Sequence, residues 1–262
     1  MENVIINGSN IIINGFIIAI AWLLKHCGFT KKGNVKLGGE KARVWTWSTL
    51  KGNEPIFVKV WNAFIVGTCG KHCVGCSKAC YVNASYRYGS VIYGHAKNTI
   101  AIRYLLPQLY ERLRNQILKA KKKPDLIRIN QSGELQNKAE LKMFCDLARE
   151  FPEIQFWLYT KNYEVITPAL LNDEVPKNLT ILISVWHENG IQTYQLLKEF
   201  DNVKAFVYDD KTFNYETAGI GINTYCKAYD ENGKLDHNVT CDICKKCFNR
   251  NSSHKCIGCN AH

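Results

Sequence analysis

Leu126-Ile-Arg-Ile-Asn130 and Ile154-Gln-Phe-Trp-Leu-Tyr159 are short, nearly unbroken apolar runs, and Leu179-Thr-Ile-Leu-Ile-Ser-Val185 and Val203-Lys-Ala-Phe-Val-Tyr208 repeat the pattern. Runs of this length, rich in β-branched and aromatic residues, predict strands covered on both faces. They start at 126, 154, 179 and 203, so the spacings are 28, 25 and 24 residues. One interval, Ala139–Arg149, places Leu141, Phe144, Cys145 and Ala148 on a single helical face. A short helix around 191–199 fills another. Strand–helix alternation of this kind predicts an α/β fold, here a partial (β/α) barrel of mainly parallel strands. Function in such folds gathers at the C-terminal strand ends. Asn130, Lys161, Asn162, Ser184, His187 and Asp209 stand there, and Lys161 and His187 are the catalytic candidates. Most polar residues in such places are caps.

Upstream of these runs, Val44-Trp-Thr-Trp47 and Ile56–Trp61 read as strands around a Lys51-Gly-Asn53 turn. Residues 96–122 read as helix, with Ile102, Leu105, Leu109, Leu113 and Leu118 near helical spacing. Pro107 should kink that helix or start a second one. The apolar run Ile11–Leu24 is interrupted by Asn14-Gly15 and is too short for a membrane span. Only Glu2 precedes it as a charge, unlike a secretory signal. A buried helix or strand is expected there, with no membrane span and a cytoplasmic location. Three regions follow: an apolar segment 1–33, the partial barrel 34–212, and a cysteine-rich tail 213–262.

Twelve cysteines are present, and nine of them fall in two clusters, 69–80 and 241–259. A chain of 262 residues with 46% hydrophobic residues can fill a core without disulfide staples, so clustered thiols point to metal ligation in a reducing compartment. Cys27 and Cys145 read as bystanders, Cys145 as a small core residue. The formal net charge of +11 and the run Lys119, Lys121, Lys122, Lys123 fit either a solvated helix end or a polyanionic partner such as nucleic acid. No P-loop and no hydrolytic triad is recognisable.

The first cluster is Cys69-x3-Cys73-x2-Cys76-x3-Cys80, directly after the strand-like Phe64-Ile-Val66. Three thiolates, Cys69, Cys73 and Cys76, can each reach one iron of a [4Fe–4S] cube and leave the fourth iron open. Cys80 is a possible fourth ligand that would close it. The spacing resembles the radical S-adenosylmethionine enzymes, although Gly75 stands where that superfamily usually carries an aromatic residue. That resemblance implies that Ser132-Gly133-Glu134, which follows the strand 126–130, binds the amino group of S-adenosylmethionine. Ser132 there replaces a glycine.

Cys69-x6-Cys76-x3-Cys80-Tyr81, Arg128-Ile-Asn-Gln-Ser-Gly-Glu134 and Phe156-Trp-Leu-Tyr-Thr-Lys161 together resemble the phage and plasmid gene product 88 family, over roughly residues 34–248. The resemblance implies a ligating trio of Cys69, Cys76 and Cys80 with Cys73 additional, and a C-terminal cysteine group of Cys226 with Cys241, Cys244 and Cys247. Spacing alone offers a second set in the tail, Cys241-x2-Cys244-x11-Cys256-x2-Cys259, which suits zinc. His254 and His262 could replace a thiol. The tail is therefore expected to hold either a second [4Fe–4S] cluster or Zn2+.

Two functions stay open at this level. One is a radical S-adenosylmethionine-like enzyme, fed electrons by a reductant such as flavodoxin or ferredoxin, that generates a 5′-deoxyadenosyl radical on an unknown substrate. The other is a non-catalytic iron–sulfur or zinc protein of a phage or mobile element that binds nucleic acid.

Overall fold

The computed structural model describes residues 4–31, 37, 43–73, 76–77, 80–209, 211–227, 239–249 and 252–260. In chain order the first elements are strands β1 (Val4–Asn7), β2 (Asn10–Ile13) and β3 (Phe16–Ala19), helix α1 (Ile20–His26), and strands β4 (Val44–Thr46), β5 (Pro55–Val58) and β6 (Ala63–Val66). Helices α2 (Val82–Ser85), α3 (Gly89–Tyr104) and α4 (Leu106–Leu118) follow, then strand β7 (Leu126–Ile129), α5 (Lys138–Glu150), β8 (Gln155–Thr160) and α6 (Tyr163–Leu171). The chain ends with β9 (Leu179–Trp186), α7 (Ile191–Leu197), β10 (Val203–Asp209), β11 (Thr224–Tyr225), α8 (Cys241–Cys244) and β12 (Cys256–Asn260). These elements fall into two compact units, one of Met1–Phe29, Trp47–Lys123 and Ser132–Gln136, the other of Thr30–Thr46, Pro124–Gln131 and Asn137–His262.

In the first unit β1, β2 and β3 form an antiparallel meander. Asn14 and Gly15 both take positive φ, 48° and 80°, which makes a two-residue turn matching the twist of its strands. The apolar run read from sequence as one buried helix or strand is thus two strands and a helix. Ile11, Ile13 and Ile18 are buried, while Ile5, Ile6 and Ile17 are exposed. No helix among the described residues is long and apolar enough to cross a membrane. Chain departing α1 is held by polar side chains of α3 and α4. Asn98 Oδ1 accepts from the Gly28 N–H at 2.9 Å, and Gln116 brackets Phe29 through both its N–H (2.9 Å) and its carbonyl (2.7 Å). Pro107 sits in the first turn of α4, where its missing N–H costs nothing, so it starts a second helix. β5 and β6 pair as a hairpin that delivers the chain to the first cysteine cluster.

The second unit is a seven-stranded sheet in the order β11-β12-β10-β9-β8-β7-β4, every neighbouring pair parallel. β4 and β11 are its two edges, and no pairing among the described residues closes it into a barrel. Helices α5, α6 and α7 connect the strands from β7 to β10. The side-chain oxygen of Asn137 caps α5 by accepting the Glu140 N–H at 2.9 Å. Leu141, Phe144, Cys145 and Ala148 are all buried, and burial pushes the Cys145 thiol up to about 12, as an inert core residue requires. Cys27 of the first unit behaves alike, at about 11. Residues from the tail pack on the sheet: Phe248 lies against Trp157 with ring centroids 4.7 Å apart, and a core joins Leu37, Val44, Leu126, Trp157, Leu182 and Phe248.

The tail differs from expectation in one respect. Cys256–Asn260 is a strand of the sheet, wedged in parallel between β10 and β11. Cys256 and Cys259 are 2% and 1% exposed.

Candidate functional site

The first unit builds its site around the residues that follow β6. Arg103 of α3 donates to the carbonyls of Val66 and Gly67, at 2.9 and 2.8 Å, and to Gln136 Oε1 at 2.9 Å. One guanidinium thereby holds both the entry to the cysteine loop and the segment after Glu134. Cys69 exchanges two bonds with Gly52: its N–H donates to the Gly52 carbonyl at 2.9 Å, and its Sγ accepts the Gly52 N–H at 3.1 Å. An N–H aimed at sulfur stabilises a thiolate and tunes any metal it binds. The 3-10 turn Gly70–Cys73 follows. Cys69, Cys76 and Cys80 are all partly exposed thiols outside any disulfide, reachable by a ligand in a way that Cys27 is not. Gly75 lies outside the described residues.

Ser132-Gly133-Glu134 docks on the two threonines beside this loop. Ser132 Oγ donates to the Thr49 carbonyl at 2.8 Å, and the Thr49 N–H returns to the Ser132 carbonyl at 3.0 Å. The Glu134 N–H donates to Thr68 Oγ1 at 2.9 Å, and the hydroxyls of Thr49 and Thr68 are 2.8 Å apart. Gly133 has φ 82°, and a Cβ there would fall 1.9 Å from Thr49 Oγ1 and 2.4 Å from Thr68 Oγ1. Only glycine permits this approach. Glu134 is 6% exposed, and its carboxylate accepts the Leu135 N–H at 2.7 Å.

Tyr86 ties these parts together. Its Oη accepts the Lys51 N–H at 3.0 Å and lies 3.2 Å from His95 Nδ1. Burial pushes its pKa up to about 12; a bond with Ser132 opposes that, and the nearby thiols of Cys69 and Cys80 add to it. Cys69 and Cys80 thus both lie near enough to this phenol for their charges to act on it. Burial also lowers His95 to about 4, so its ring is neutral.

The second unit gathers the tail thiols. Cys226, Cys241, Cys244 and Cys247 line one pocket with Trp157 and Tyr159 as its aromatic wall. Burial drives the Cys247 thiol up to about 12, and the charges of Cys226, Cys241 and Cys244 push the same way. Four such thiols cannot ionise together without a cation among them. No three His, Cys, Asp or Glu among the described residues already stand in a metal-holding arrangement, so the thiols would have to draw in around an ion. The four thiols already share one pocket, and thiol ligands reorient on binding. Cys256 and Cys259, the other half of the zinc spacing, are strand residues outside the pocket lining. His254 does not line it either, and His262 lies outside the described residues.

Lys161 and His187 belong to this unit. Lys161 Nζ lies 5.9 Å from the Trp186 ring centroid. His187 has φ 49°, donates its N–H to Tyr215 Oη at 2.9 Å, places Nε2 3.3 Å from Thr212 Oγ1 and stacks on Phe213. Thr49, Thr68, Tyr86, His95 and Arg103 went unseen in the sequence, for hydroxyls and single polar residues leave no spacing signal. Lys204 did leave one, as a lysine inside the apolar run Val203–Val207.

A family model described as gene product 88 matches residues 23–261 of the chain. No curated protein and no solved structure matches it.

Proposed function

The chain belongs to the gene product 88 family, and on that footing we propose that it is an iron–sulfur protein acting as a radical S-adenosylmethionine-like enzyme. The observation that carries this reading is the bond from the Glu134 N–H to Thr68 Oγ1, which sets the Ser132–Glu134 turn one residue from Cys69. The donor set fits: soft thiols, partly exposed, with a backbone N–H already on one sulfur. Cys69, Cys76 and Cys80 would hold the cube, with Cys73 as an additional thiol. When bound, such a cube would supply one electron that breaks a C–S bond of S-adenosylmethionine, giving methionine and a 5′-deoxyadenosyl radical. The chain's own residues position it. Glu134 offers a carboxylate to an ammonium, and Arg103, Thr49 and Thr68 fix the turn that carries it. The parallel sheet is read as a partial (β/α) barrel, with Lys161 and His187 as catalytic candidates at its strand ends. The tail would hold a second cluster or Zn2+ through Cys226, Cys241, Cys244 and Cys247. A flavodoxin or ferredoxin would be the reductant, in the cytoplasm.

The test is Glu134→Gln. It should keep its iron and lose S-adenosylmethionine binding by calorimetry; unchanged binding would remove Glu134 from the site. A second reading rests on Cys69 and Cys80 both lying near the same tyrosine. If both ligate together with Cys73 and Cys76, the centre is closed, and the +11 chain is a metal-stabilised nucleic-acid-binding protein. Salt-dependent binding to DNA or RNA without cofactor cleavage would favour it.

A further inference from the structure

Lys204 is the second residue of β10 and is 0% exposed. Its ammonium donates to the carbonyls of Lys246 and Asn249, both at 2.8 Å. Those two carbonyls bracket Cys247 and Phe248. Among the described residues no carboxylate pairs with Lys204. A buried ammonium that meets only neutral oxygens is costly, and a chain keeps one where an anion is to be balanced. The tail pocket would supply that anion once its thiols hold a metal. Four thiolates around a divalent metal or an iron–sulfur cluster carry excess negative charge, and Cys247 lies between the two carbonyls that Lys204 binds. An apolar residue would fill this strand position as its neighbours do, so the charge itself is what needs explaining.

We propose that Lys204 is the buried counter-cation of a tetrathiolate metal centre formed by Cys226, Cys241, Cys244 and Cys247, and that it sets the affinity of that centre for its metal. The inference rests on the tail reading above. It concerns a positioning residue: Lys204 acts through charge and through the turn that carries Cys247, without ligating.

The experiment uses the full chain, stripped of metal under reducing conditions and titrated with Co2+, whose visible spectrum reports thiolate ligation. Wild type should show a tetrathiolate spectrum with a component that Cys247→Ser removes. Lys204→Met should bind Co2+ at that component about tenfold or more weakly, and Lys204→Arg should recover most of the loss. Unfolding of the metal-free proteins supplies the second reading. Metal-free Lys204→Met should be at least as stable as metal-free wild type, because an unbalanced buried cation has gone. Unchanged Co2+ affinity in Lys204→Met overturns the proposal, as does equal destabilisation with and without metal, which would make Lys204 a plain structural pin. Absence of any Cys247-dependent spectrum in wild type is a different failure: it removes the tail centre itself, and the proposal with it.

Discussion

Glu134 gives its backbone N–H to the hydroxyl of Thr68 at 2.9 Å, and Thr68 is the residue before Cys69. A turn that follows β7 and a thiol loop that follows β6 are thus joined by one side chain, although 65 residues separate positions 69 and 134. Arg103 holds both segments a second time through Val66, Gly67 and Gln136.

The turn depends on Gly133. A Cβ there meets Thr49 Oγ1 at 1.9 Å, on a backbone with φ 82°. Gly133→Ala should destabilise by about 2–4 kcal/mol, the sum of left-handed strain and overpacking. Gly15→Ala, with φ 80° and open space around it, should lose only about 1 kcal/mol. Urea unfolding of the two variants measures the difference. Equal losses would mean that the close approach to the threonines contributes nothing.

The tail cysteines should divide into two classes. Cys226→Ser or Cys244→Ser should lose metal from the pocket while the sheet stays folded. Cys256→Ala should keep the metal and lose stability by about 1–2 kcal/mol, for it removes a buried side chain from β12. Metal content against urea midpoint separates them. Metal lost from Cys256→Ala and kept in Cys226→Ser would restore the zinc spacing of Cys241, Cys244, Cys256 and Cys259.

How far the sequence carried these readings depended on what each residue leaves as a pattern. The strands at 126, 154, 179 and 203 were legible because strands buried on both faces are continuous apolar runs. β8 and β10 run one residue past their expected ends, at Thr160 and Asp209, since a strand's last hydrogen bonds do not depend on apolarity. Pro107 was legible as a kink or a helix start because the ring fixes φ, and its place in the first turn of α4 decides for the start. The hairpins at 4–19 were missed although Asn14-Gly15 is a turn signal, for the isoleucines around it mask the alternation. β12 was hidden because two cysteines and a glycine look like a ligand run rather than a strand. In the site, thiols and Ser132–Glu134 were visible as motifs. Their supports were not: Thr49, Thr68, Tyr86 and Arg103 act through single long-range bonds that no local spacing encodes.

Acid should loosen the first unit through His95. Burial lowers its pKa from 6.5 to about 4, so the unfolded chain takes up a proton that the folded one refuses. Stability attributable to His95 is full above pH 6.5 and is lost as pH falls from 6.5 towards 4. His95→Gln should flatten the stability–pH curve across that window, measured by chemical unfolding at fixed ionic strength. Parallel curves for the two proteins would show that the ring is solvated and charged in the fold.

The most direct measurement is made on protein purified without oxygen. Iron and acid-labile sulfide are assayed, dithionite and S-adenosylmethionine are added, and 5′-deoxyadenosine is sought by chromatography. Iron with sulfide, and 5′-deoxyadenosine that Glu134→Gln fails to produce, is the expected result. Zinc without iron, or an iron–sulfur protein that leaves S-adenosylmethionine intact, would contradict the enzyme reading.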